Sequence, residues 1–197
     1  MKIQRLIALF TKFPTVGPRT ASRFVYYLIK HKPRIDELIE AIKEIKEMKY
    51  CRFCFNPIEE GDLCSICRNH DRDKSLICVV GKETDLATIE NTKTYKGLYF
   101  ILGGNVSILR KNIEEIRLKE LEERLADPHR FGVKSSFKEV ILATNPTPEG
   151  KATADLVIKA IKEKPLKITH LGLGLPIGAE LEYADEETLE NAFKSRR

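Results

Sequence analysis

The stretch Glu139-Val140-Ile141-Leu142-Ala143-Thr144, followed at once by Asn145-Pro146-Thr147-Pro148-Glu149-Gly150-Lys151-Ala152-Thr153, decides the fold. A short apolar run bounded by turn residues reads as a buried strand, and the apolar periodicity from Glu149 to Lys164 reads as a helix. The same alternation extends in both directions. Upstream lie a strand over 76–80, a helix over 85–92, a strand over 97–104 and a helix over 116–126. Downstream lie a strand over 168–174 and a terminal helix over 184–197. Short apolar strands alternating with helices of this length predict βαβ units, hence an α/β domain with a parallel sheet.

N-terminal to that domain the pattern changes. Leu6, Ile7, Leu9 and Phe10 belong to an amphipathic helix that Pro14 stops. Pro18 is suited to the first position of a second helix, which carries Ala21, Phe24, Val25 and Leu28 on one face and ends at Pro33. Ile35, Leu38, Ile39, Ile42, Ile45 and Met48 give a third periodic helix. The expected organisation is a helical head over 1–50, a cysteine module over 51–75 and an α/β domain over 76–197. The head and the cysteine module are each too small for a self-sufficient core, so they require metal, the larger domain or another subunit.

The chain has 197 residues and a 42% hydrophobic fraction, ordinary for a globular protein. No stretch approaches the roughly 18 uninterrupted apolar residues of a membrane span. The apolar run Leu6–Phe10 is too short for a signal peptide, so a cytoplasmic, nucleoid-associated location is expected. The net charge of +5 conceals an uneven distribution. Residues 1–34 carry eight basic residues and no acidic one, whereas residues 76–197 carry 19 of each sign. Attraction to a polyanion is therefore a property of the first 34 residues.

Cys51-x2-Cys54-x9-Cys64-x2-Cys67 is the most specific pattern in the chain. Each C-x-x-C turn places two sulfurs on one side of a tight knuckle, and two facing knuckles make a thiolate tetrahedron suited to zinc. Four protein ligands leave no open position, so the expected role is structural. Two disulfides, redox thiols and an iron–sulfur cluster are the alternatives. His70 is expected at the surface and Cys78 in the core.

Phe13-Pro14-Thr15-Val16-Gly17-Pro18 joins the first two helices in the manner of a helix–hairpin–helix element. Such a turn presents backbone N–H groups at the start of its second helix, where a phosphate is accepted. Arg19 and Arg23, four residues apart, share the face just past the turn, and Lys12 lies just before it. Gly17, Arg19, Arg23 and Lys12 are thus the candidate DNA-binding residues. Thr15 stands where the usual hairpin has a glycine.

The segment around Asn145 resembles the second motif of the Toprim (topoisomerase–primase) domain, in which a strand ends in Asp-x-Asp followed by Glu-Gly. The resemblance implies that active members hold Mg²⁺ with those aspartates and a glutamate after an earlier strand. Here the corresponding residues are Asn145, Thr147 and Gly81, so the metal carboxylates are missing and no catalysis is expected.

The order of hairpin, CRFC…CSIC finger, ATNPTPEGKATA and GLPIGAELEYAD closely resembles the RecR family of bacterial recombination mediators over nearly the whole chain. That resemblance implies a ring-like homotetramer encircling double- or single-stranded DNA without sequence preference. It implies partnership with RecO-like and RecF-like proteins and loading of RecA on single-stranded gaps. It also makes Glu149, on the Toprim face, a candidate partner contact. A metal-dependent nuclease or primase-like enzyme and a pure protein-interaction module are the competing readings.

Overall fold

The computed structural model describes residues 2–107, 116–172, 174–175, 177–194 and 196. The chain divides into two compact units, Met1–Lys49 and Tyr50–Arg197.

The first unit holds α1 (Lys2–Phe10), α2 (Pro18–Lys30) and α3 (Pro33–Glu47). Proline occupies the first turn of both α2 and α3, where its fixed φ suits a helix start and its missing N–H costs nothing. Packing of α1 on α2 buries Ala21 and Val25, and the Phe10 ring meets the edge of Phe24 with centroids 5.8 Å apart. The apolar face of α3 has a different fate. Leu38, Ile39 and Ile42 stay exposed, and Ile45 is 65% exposed.

A two-stranded ribbon, β1 (Lys49–Tyr50) and β2 (Pro57–Ile58), starts at the boundary of the second unit, and the short helix α4 (Ser65–Arg68) follows. A four-stranded sheet follows, ordered β4-β3-β5-β6, from β3 (Asp73–Val80), β4 (Gly97–Ile101), β5 (Glu139–Ala143) and β6 (Lys167–His170). All three pairings are parallel. The helices are α5 (Glu83–Asn91), α6 (Leu118–Ala126), α7 (Pro148–Ile161) and α8 (Glu186–Lys194). Helices between parallel strands supply the long crossovers that such pairings require. Among the described residues no helix is long and apolar enough to cross a membrane.

Several boundaries move for physical reasons. The helix expected at Asp85 starts at Glu83 because Asp85 accepts the Lys82 N–H at 3.0 Å and caps the turn before it. The last strand ends at His170, not Gly174. Its partner β5 ends at Ala143, and the final ladder bond runs from Leu171 N–H to Leu142 O. Leu173 and Pro176 of the glycine-rich bend, and Ser195 and Arg197 of the terminal helix, lie outside the described residues. Asp185 caps that helix, accepting the Thr188 N–H at 2.8 Å.

Cys51, Phe53, Cys54, Ile58, Cys64 and Cys67 belong to the same buried cluster as the sheet residues Ile77, Phe100 and Leu142. The cysteine module and the sheet therefore share one core. Phe53 is fully buried and stacks on Phe137 at 6.0 Å. Burial of one such ring contributes about 1.5–3 kcal/mol.

Candidate functional site

The turn between α1 and α2 follows from its residues. Val16 N–H donates to Phe13 O at 3.2 Å, and the chain then passes through Gly17, whose extended backbone makes it the N-cap of α2. Gly17 has no side chain with which to cap the helix, and no atom lies within 4 Å of where its Cβ would stand. Pro18 has no N–H. The Arg19 and Thr20 amides belong to the first turn, whose N–H groups have no partner within a helix, and lie at the positive end of the helix dipole. Arg19 and Arg23 lie exposed on the following turn, as do Lys12 and Gly17 before it. Neither arginine forms an ion pair among the described residues. Thr15 takes φ 65, a conformation that a β-branched residue rarely adopts. Glycine would hold that left-handed position without strain.

In the cysteine module, the Sγ atoms of Cys51, Cys54, Cys64 and Cys67 all lie within 4.8 Å of one another, and all four residues are buried. Cys64 N-caps α4, and Cys67 N–H donates to Cys64 Sγ at 3.4 Å, a bond that favours the thiolate. Cys54 and Cys64 sulfurs are 3.5 Å apart, close to the roughly 3.8 Å edge of a tetrahedron with 2.3 Å metal–sulfur bonds. The Cys54, Cys64 and Cys67 thiols hold the Cys51 thiol well below its ordinary range, while Cys51, Cys54 and Cys64 together push the Cys67 thiol up. Four thiols so crowded are a donor set that fits a divalent cation. His70 is exposed and outside the cluster, and Cys78 is a core residue whose thiol burial pushes up to about 12.

At the carboxyl ends of β3 and β5 stand the residues that resemble the Toprim motif. The Thr147 hydroxyl accepts the Gly150 N–H at 3.2 Å and caps α7. Asn145, Thr147 and Glu149 are exposed. A Cβ on Gly81 would lie 3.0 Å from Asn105 Oδ1 and 3.2 Å from Asp85 Oδ2, so Asn105 crowds the space that a longer side chain at 81 would enter. Thr153 is wholly buried. It donates to Glu149 O at 2.6 Å and accepts the Val106 N–H at 2.9 Å, tying the loop after β4 to α7.

Two arginines that the sequence reading passed over shape this unit. Arg117 and Arg124 lie on the Phe55 ring at 4.5 and 4.7 Å from its centroid, and Arg124 also covers Phe131 at 3.9 Å. Arg124 is 7% exposed, and burial lowers its basicity. Nothing in the local sequence distinguishes these arginines from solvated ones.

Comparison with known proteins accords with this geometry. Residues 75–172 match the Toprim domain model, and residues 3–46 match the RecR helix-hairpin-helix model. The chain is thus a Toprim-domain protein headed by a helix–hairpin–helix. Residues 174–197 match the RecR C-terminal model. The chain is 44% identical to Recombination protein RecR of Rubrobacter xylanophilus over 99% of its length and 96% of that protein. It is 41% identical to that of Heliobacterium modesticaldum with the same coverage. It is 42% identical to that of Chloroflexus aurantiacus over 99% of its length and 93% of the relative. The chain belongs to the RecR family.

Proposed function

We propose that this protein is a non-catalytic DNA-binding mediator of recombinational repair, acting as a ring-like clamp assembled from several copies. The observation that carries the reading is the exposed, uncapped start of α2 at Gly17–Pro18 with Arg19 and Arg23 beside it, in a stretch of 34 residues without an acid. Backbone amides and guanidinium groups recognise phosphate, not bases, so binding is insensitive to sequence and steep in salt. Lys12 extends the same contact.

The bare apolar face of α3 supports assembly into an oligomer, with a homotetramer as the expected form. If four heads line one ring, each can bind weakly while enclosure retains the duplex. Zinc is the proposed metal of the four thiolates, in a closed structural site. With Asn145, Thr147 and Gly81 in place of acidic residues, the Toprim domain serves as the body of the clamp, and Glu149 on its exposed rim is the proposed contact for RecO-like or RecF-like partners. Help in loading RecA on single-stranded gaps follows from that assignment.

The decisive test is DNA binding by fluorescence anisotropy on gapped duplex between about 50 and 200 mM salt, with solution mass measured on the same samples. An affinity falling by orders of magnitude across that range is expected for several phosphate contacts. Unchanged affinity refutes the electrostatic account. DNA cleavage in Mg²⁺ or Mn²⁺ that disappears in Glu149→Ala refutes the non-catalytic one.

A further inference from the structure

Among the described residues β4 is an end strand of the sheet, yet every one of its residues is buried. Part of its outward backbone row is already occupied. Leu102 N–H donates inward to Val80 O at 2.9 Å, so by the alternation of a strand Ile101, Tyr99 and Gly97 present their groups outward. Ile101 N–H donates to the carbonyl oxygen of Cys54 at 3.1 Å. Ile101 O accepts from Arg117 Nη1 at 3.1 Å. Gly97 O accepts from Arg72 Nη1 at 3.3 Å.

Two of these three caps depend on the four-cysteine knuckle. Cys54 is itself one of the clustered thiols. Arg117 is steadied by Phe55, the next residue, whose ring it covers and which also meets the edge of Phe100 at 5.6 Å. Phe55 sits at φ 66, held there by the bond from its N–H to Cys51 O at 3.0 Å. The strand so covered is Gly97-Leu98-Tyr99-Phe100-Ile101-Leu102, six residues with no charge and no proline. Such a window pairs readily with another strand once its edge is free.

We infer that the metal knuckle is the guard of the β4 edge: metal occupancy keeps Cys54 O and Arg117 on Ile101, and metal loss frees the strand to pair with β4 of a second copy. Arg72 does not depend on the knuckle and keeps the Gly97 end closed. The inference rests on the reading that the thiolates hold zinc, so zinc content is measured in every sample.

The full-length protein, as purified and after zinc removal by a chelator, is compared by hydrogen exchange and sedimentation velocity. Zinc removal is expected to speed exchange of the Ile101 amide by about tenfold or more, as befits loss of one hydrogen bond and its cover, while Val140 and Leu142 in β5 stay protected. The stripped protein is expected to self-associate beyond the zinc form and to recover when zinc is restored. Arg117→Lys keeps the charge but loses the planar stack, and is expected to speed Ile101 exchange with zinc fully retained. A protein that carries no zinc overturns the metal reading beneath the inference. A zinc protein in which β4 and β5 lose protection together, in which neither does, or which does not self-associate when stripped overturns the guard itself.

Discussion

Gly150 lies so close to Asn145 that a Cβ at position 150 would stand 2.0 Å from the Asn145 carbonyl oxygen. The turn from β5 into α7 is therefore possible only with glycine there, because the obstructing atom is backbone. Gly150→Ala is expected to destabilise the protein by about 2–4 kcal/mol. The neighbouring exposed Lys151→Ala should stay within about 1 kcal/mol. Urea denaturation of both variants checks this, and a G150A protein as stable as the parent would show that the turn relaxes freely.

Thr15 pays a conformational cost at φ 65 that glycine does not. A non-glycine residue in that region loses about 1–2 kcal/mol, and glycine returns part of the gain through its own chain entropy. Thr15→Gly is expected to stabilise the helical head by about 0.5–1 kcal/mol, read as slower amide exchange across residues 13–25. Faster exchange would mean that the hydrogen bond from Thr15 Oγ to Pro14 O at 2.6 Å outweighs the strain.

Arg19→Ala with Arg23→Ala removes two exposed cations that have no ion-pair partner among the described residues. The double variant is expected to lose most DNA affinity and to lower the slope of log affinity against log salt by about 2. Its melting temperature should not move. A large drop in melting temperature would assign the pair a structural role.

Glu90 accepts hydrogen bonds from Arg72 and from the Tyr99 hydroxyl, the latter at 2.9 Å. Burial pushes the Glu90 carboxyl up, but Arg72 and Tyr99 outweigh it and hold it below the ordinary value. A carboxylate depressed in the folded state contributes stability above its unfolded pKa of about 4.3, and that contribution disappears as pH falls through the lower folded value. Parent protein should therefore lose stability from about pH 4.3 downward, with part of that slope absent in Glu90→Gln. Urea midpoints between pH 5 and pH 3 decide it, and parallel curves for the two proteins would remove Glu90 from the account.

The elements that could be read from sequence were those whose signal is local. Val140–Ala143 with its proline- and glycine-marked exit, the cysteine spacing and Pro18 each state their structure within a few residues. Lys82 with Asp85 did so less openly, since the bond from the Lys82 N–H to the Asp85 carboxylate shifts a helix start by two residues. Arg117 and Arg124 could not be foreseen. Their contact with Phe55 spans more than 60 positions, and a guanidinium over a ring has no periodicity. The same holds for Cys54 and Ile101, whose bond joins a cysteine knuckle to a sheet edge. The bare face of α3 was legible as periodicity, but periodicity says only that a face is apolar, not what meets it.

That face has a consequence for the proposed clamp. Ala21 and Val25 are the head's fully buried apolar side chains among the described residues, too few to keep three helices stiff by themselves. If the proposed assembly forms, the stiffness of the turn between α1 and α2 is set by how many copies stand together, and dilution loosens that turn before it changes any residue in it.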